Sequence, residues 1–224
     1  MDRDEIMRVL RAFESAGLEY VLIGAAAMAF HGLVRATADL DFFIRATPEN
    51  IERLRAALRD AFHGDPEINA ISSEDLLGQY PAVRYAPPTG NLYLDLLTRL
   101  GEAADFETVE AEIKDIDGTP VRVATPAALY RLKKGTIRLQ DQADAAALHG
   151  STWKMRSEMP VQKFRSIEEM NKAREPVSEE PPFERFVRLC ALYSAIAPNP
   201  YPRGVFKFRS IEEAQKARLK NSSC

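Results

Sequence analysis

Two aspartates set into an apolar run constrain this chain more than any other feature. The stretch from Tyr20 to Ile44 reads YVLIGAAAMAFHGLVRATADLDFFI. It predicts an apolar strand (Tyr20 to Ile23), a small-residue turn opening a short helix (Gly24 to Gly32), an Arg/Thr loop, and a second strand carrying Asp39 and Asp41. Side chains two apart on a strand share a face, so both carboxylates point the same way. Carboxylates that close repel unless a positive charge lies between them, and a divalent metal is the usual solution.

The rest of the chain supplies a frame for that pair. Ile6, Val9, Leu10 and Phe13 fall on one face of a helix over 4–16, which Gly17 can end in the left-handed conformation. Thr47 and Pro48 form a cap and first helical position for a helix whose inner face is Ile51, Leu54, Leu58 and Phe62. Residues 65–80 are mixed, with a short helix capped at Ser72 or Ser73. AVRYA, the turn signal PPTGN and LYLDLL then read as a β-hairpin with a five-residue loop. Its second arm places Tyr93, Asp95 and Leu97 on one face. Taken alone, Asp95 suits a solvated face; beside the earlier pair it becomes the candidate third carboxylate of one metal site.

Residues 103–123 read as a helical or mixed segment, a turn at Asp117-Gly118 and a short strand around Val121 to Val123. Thr125-Pro126 opens a helix carrying Leu129, Leu132 and Lys133, and LQDQADAAALHG opens another with Asp141 and Asp144 three apart on one face. Taken alone, Lys133, Asp141 and Asp144 read as solvated charges.

The tail repeats itself. VQKFRSIEEMNKAR (161–174) and VFKFRSIEEAQKAR (205–218) share KFRSIEE and KAR in register. Each predicts a strand followed by a capping box, Ser166 with Glu169 or Ser210 with Glu213. An apolar helix, FERFVRLCALYSAIA, lies between them. Residues 1–158 carry 18 Lys and Arg against 25 Asp and Glu, whereas 159–224 carry 12 against 8. An acidic body with a basic tail predicts two units that dock on one another. The expected organisation is a domain over 1–150, a linker over 151–160 and an appended, mainly helical module over 161–224. The fold class is α/β (α+β), a small mixed sheet flanked by helices.

Two cysteines, Cys190 and Cys224, exclude a disulfide framework and predict a reducing cytoplasm. The charged N-terminus has no apolar core like that of a signal peptide, and no run approaches a membrane span, so no membrane association is expected. A net charge of -3 argues against duplex DNA as a partner.

Three carboxylates on adjacent strands beside a glycine-opened helix suit metal-dependent nucleotidyl transfer. Mg²⁺ or Mn²⁺ takes oxygen ligands, a few from the protein and the rest from substrate phosphates. Asp39 and Asp41 would hold the metal and Asp95 would also ligate it while orienting or activating the nucleophile. Backbone N–H groups after Gly24 would receive a nucleoside triphosphate, helped by Arg35 and Lys133.

IGAAAMAFHGLVRATADLDFF resembles the signature of minimal nucleotidyltransferases of the DNA polymerase beta superfamily, a Gly-Gly or Gly-Ser turn followed by Asp-x-Asp about fifteen residues on. His31-Gly32, Arg35, Thr37 and Asp39-x-Asp41, with Lys133, Arg138, Asp141 and Asp144 later, resemble the branch found in abortive-infection and toxin–antitoxin systems. The likeness spans residues 4–149. It implies a nucleotidyltransferase-like fold and an enzyme that moves a nucleoside monophosphate from an NTP to a protein or RNA acceptor. It further implies nucleotide contacts at Gly24, Ala25, Arg35, Thr37 and Lys133, with Asp141 and Asp144 in support. Ala25 stands where that pattern has Gly or Ser and offers no hydroxyl. The alternative is therefore a weak or silent nucleotidyltransferase fold that binds protein, antitoxin-like, with its own C-terminal module or a cognate partner in the cleft. The tail itself resembles small proteins that accompany such enzymes.

Overall fold

A computed structural model describes residues 1–99, 104, 106–134, 136, 138–150, 166, 180–196 and 202–221. The linker 151–160 and the first repeat copy, apart from Ser166, lie outside the described residues.

β1 (Tyr20–Ile23) is buried along its whole length, as expected of a four-residue apolar run at the centre of a sheet. It pairs antiparallel with β2 (Asp39–Ile44), from Tyr20 opposite Ile44 to Ile23 opposite Asp41. β4 (Tyr93–Leu97) lies parallel to β2 and sets Asp95 directly opposite Asp41. β3 (Ala82–Ala86) returns antiparallel to β4, with Arg84 opposite Asp95. β5 (Ala111–Ile116) and β6 (Thr119–Ala124) form a hairpin that joins β1 on its other side. β7 (Gly204–Phe208), from the second repeat copy, adds to the free side of β3. The result is one mixed sheet in the order β5-β6-β1-β2-β4-β3-β7, an α+β architecture.

Alternation along β2 divides the sheet into two faces. Phe42 points to one, where it meets Phe13 and Tyr20 with ring centroids 4.9 and 5.6 Å away in edge-on geometry. Phe13 belongs to α1 (Arg3–Ser15), whose start is fixed by a capping box between Asp2 and Glu5. α3 (Pro48–Ala61), capped by Thr47, packs beside α1. α4 (Ser73–Leu77) is one short turn capped by Ser72. Asp39 and Asp41 point to the other face. There lie α2 (Gly24–Phe30), α5 (Pro126–Lys133, capped by Thr125), and α6 (Leu139–Gly150), which packs against α5.

The described part of the tail shares this core. α7 (Pro182–Ile196) lays Phe183 on Phe30 of α2, centroids 5.1 Å apart, and buries Phe186 and Cys190 completely. α8 (Ile211–Asn221) follows β7; Ser210 Oγ accepts the Glu213 N–H, and Glu213 accepts the N–H of Arg209. No helix among the described residues is long and apolar enough to cross a membrane.

Two expectations are corrected. Residues 111–116 form a strand, not part of a helical or mixed segment, because AEIKDI is an outer strand with most of its side chains in water, Ile113 being 64% exposed. Asp117 and Gly118, at φ +51° and +75°, make the tight turn between it and β6. The β3–β4 connection is one residue longer than PPTGN, because Leu92 precedes the strand.

Candidate metal centre and cleft

The site starts from a glycine. Gly24 has φ +68°, and a Cβ there would sit 2.0 Å from Asp41 Oδ2, so conformation and space both require glycine. The close approach lets β1 turn into α2 directly beside the β2 carboxylates. Parallel pairing of β2 with β4 brings in Asp95, and carboxylate oxygens of Asp39, Asp41 and Asp95 lie within 4.8 Å of one another. Asp39 and Asp95 are buried and Asp41 is half-buried. The three are placed to share one metal ion.

Asp95 is not on a solvated face. It is 7% exposed, and Arg84, itself 3% exposed, donates to both of its oxygens, Nε to Oδ1 and Nη2 to Oδ2, each at 2.7 Å. Arg84 Nη2 also reaches Asp39 Oδ2 at 3.3 Å, and its guanidinium lies 5.6 Å from the Tyr93 ring centre. Thr37 donates its hydroxyl to Asp39 Oδ1. Asp95 and Asp39 are therefore held by an internal cation, and Asp39 also by a hydroxyl donor.

Opposite this acidic wall stands a basic one. Lys133 Nζ lies 2.8 Å from Asp141 and 2.9 Å from Asp144. Arg35 makes a forked contact with Asp144, Nε to Oδ1 at 3.1 Å and Nη2 to Oδ2 at 3.0 Å. Burial opposes ionisation of Asp144, but the bonds from Arg35 and Lys133 outweigh it and hold the carboxyl below its usual range. Lys133, Asp141 and Asp144 are all buried, so none is a solvated helix charge. Eight residues apart in sequence, Lys133 and Asp141 meet because α5 and α6 lie side by side.

Between the walls runs a cleft. Gly24, Arg35, Thr37 and Lys133 line it together with Asp39, Asp41, Asp95 and Asp141. Asp144 sits behind Arg35 and Lys133, and Ala25 is 1% exposed in the core, away from the cleft wall. Arg138 also faces the cleft, 3.7 Å from Asp141. Thr136 was not expected here; its hydroxyl is buried and has no hydrogen-bond partner among the described residues. Phe208, Ile211 and Ala214 of the second repeat complete the wall.

Two neighbouring groups have structural roles. His31 donates from Nε2 to the Ala124 carbonyl at 2.8 Å, tying α2 to β6, and burial lowers its pKa. Cys190 accepts the Thr37 N–H at 3.4 Å, and burial raises its thiol pKa, which keeps it protonated and unreactive. Besides Thr136, sequence reasoning missed Arg84. Its signal was a lone arginine facing an aspartate across a hairpin, readable only with the correct register.

No protein-family model matches this chain, and no curated protein matches it.

Proposed function

We propose that the cleft is the active site of a metal-dependent nucleotidyltransferase, which moves a nucleoside monophosphate from an NTP to a hydroxyl of a protein or RNA acceptor. Its main support is the convergence of Asp39, Asp41 and Asp95 within 4.8 Å at a glycine turn, opposite Arg35 and Lys133. The setting proposed is toxin–antitoxin or phage defence, on the sequence resemblance alone.

The donor set fits Mg²⁺ or Mn²⁺. All three ligand groups are carboxylates, the hard oxygen donors that these ions take, and their oxygens lie within 4.8 Å of one another. Asp39 and Asp41 would hold the metal, with Asp95 as third ligand. When bound, such an ion neutralises phosphate charge and acidifies a nearby hydroxyl.

The chain's own groups divide the remaining work. Arg84 fixes the plane of Asp95, so that Asp95 orients the acceptor hydroxyl. Arg35 and Lys133, positioned by Asp144 and Asp141, meet the phosphates. The acceptor hydroxyl oxygen bonds to the α-phosphorus as its proton passes to water, the α–β anhydride bond breaks, and pyrophosphate leaves with that bond's electron pair. The buried Thr136 hydroxyl is a polar group with which a ligand in the cleft can bond.

A second reading is favoured by two observations: Arg84 already supplies a cation to Asp95 and Asp39, and Phe208 and Ile211 of the tail form part of the wall. On that reading the fold is catalytically silent and binds protein. Incubation with labelled ATP, CTP, GTP and UTP, Mg²⁺ or Mn²⁺ and cell extract separates the two. Label transfer lost in Asp39→Ala/Asp41→Ala is expected for the enzyme; no transfer from any nucleotide, or transfer unchanged in the variant, rejects it.

A further inference from the structure

β7 pairs along the outer edge of β3. The pairing is antiparallel, from Gly204 opposite Ala86 to Phe208 opposite Ala82. Main-chain hydrogen bonds supply affinity in this mode but no selectivity, which comes from side chains. Lys207 Nζ meets Asp75 Oδ2 at 2.5 Å, and Phe208 is buried to 9% exposure in the core. Phe206 packs against Ala86 and Tyr93, and Ile211 reaches the cleft wall.

The chain carries the same recognition groups twice. Lys163, Phe164, Ser166 and Ile167 stand at the offsets of Lys207, Phe208, Ser210 and Ile211. Three differences rank the two copies. Gln162 replaces Phe206 and forfeits its apolar contact, and Met170 replaces Ala214. Pro160 stands at the place of Gly204, whose φ of +127° is closed to proline, so the first copy can pair only from Val161 onward. The second copy is the better ligand, in agreement with its position on the edge.

We propose that the β3 edge with Asp75 recognises the Lys-Phe-Arg-Ser-Ile-Glu-Glu strand as such, and that residues 161–169 of the same chain are its alternative occupant, competing with 205–213. The proposal does not depend on what the cleft binds.

Zero-length carbodiimide coupling joins a carboxylate to an amine only in contact, which makes Asp75 a reporter of its lysine partner. In the full chain, coupled in dilute solution and digested from the monomer band, the expected product is the Asp75–Lys207 peptide. Phe206→Gln, which makes the copies alike at that position, is expected to yield Asp75–Lys163 as well, in smaller amount than Asp75–Lys207 because Pro160 and Met170 still set the first copy apart. Lys207→Gln/Phe208→Asp is expected to yield Asp75–Lys163 alone, and adding Phe164→Asp should remove it while leaving the Lys163 amine in place. Absence of the Asp75–Lys163 peptide from both variants overturns the proposal, as does its persistence with Phe164→Asp. Circular dichroism and urea unfolding check each variant; should the double variant fail to fold, Phe206→Gln, which keeps Lys207 and Phe208, decides.

Discussion

Arg84→Met tests the account of the site most directly. Arg84 makes two 2.7 Å bonds to Asp95 and a longer one of 3.3 Å to Asp39, with both partners buried. Methionine keeps the apolar stem and removes the charge. Breaking a buried ion pair from one side costs roughly 3–5 kcal/mol, because the surviving carboxylate is left without its counter-ion. The Asp39 contact is too long to add much, so a loss of about 4 kcal/mol is expected. That is a large part of the roughly 5–15 kcal/mol available to a folded domain. A divalent cation should then take over the role of the guanidinium, restoring about 2.7 kcal/mol at a hundred times its dissociation constant. In the parent chain Arg84 competes with the cation, so the same ion should stabilise less. Urea unfolding of parent, Arg84→Met, Asp95→Asn and the double variant, each with and without Mn²⁺, measures every quantity. In the double variant the two losses should fall well short of adding, since both remove one interaction. An Arg84→Met chain within about 1 kcal/mol of the parent would refute the assigned coupling. Equal stabilisation of parent and variant by Mn²⁺ would refute the competition.

Two further outcomes follow from the geometry. Gly24→Ala forces a Cβ onto Asp41 Oδ2 at 2.0 Å and puts alanine at φ +68°; about 1–2 kcal/mol of backbone strain and a fall in Mn²⁺ affinity of at least about tenfold are expected, read by calorimetry, and unchanged affinity would disprove the close contact. Asp75, although partly desolvated, is held below its usual pKa by Lys207 and Ser72. A depressed carboxyl stabilises above its unfolded pKa, near 3.9, and the benefit disappears as pH falls through the folded value. Amide exchange in β7, corrected for its intrinsic pH dependence, should therefore be as well protected at pH 5 as at pH 7 and lose protection below about pH 3.9; protection unchanged down to pH 2 would detach Asp75 from the docking.

Much of the site was legible because its signals are local. Asp39 and Asp41 declare themselves by alternation, Gly24 by the small residues that follow it, and the helix starts at Thr47-Pro48 and Thr125-Pro126 by their own caps. Arg84 was hidden by a single residue. A five-residue turn sets Arg84 against Leu94, whereas leaving Leu92 in the connection moves it opposite Asp95, and a one-residue slip exchanges the faces of a strand. β5 escaped notice because AEIKDI, among the described residues, pairs on one side only and buries little, so its sequence carries scarcely any hydrophobic alternation. The joining of β7 to β3 has no local signature at all, since the pairing closes between residues more than a hundred positions apart. The ion pairs of Lys133 with Asp141 and Asp144 likewise need α5 and α6 in place before their spacing has meaning.

β7 also determines how safely this sheet can exist in a crowded solution. β3 is buried at every residue, AVRYA, and is a five-residue ladder of backbone donors and acceptors. Stripped of its neighbour, such a strand is an open template for any other extended chain. With β7 in place, the sheet ends instead in a strand that begins at glycine and carries Lys207, and whose middle residues are half-buried. At its opposite margin β5 presents Glu112, Lys114 and Asp115. Both margins thus bear charge, and the tail strand is what keeps the apolar one from becoming a seed for aggregation.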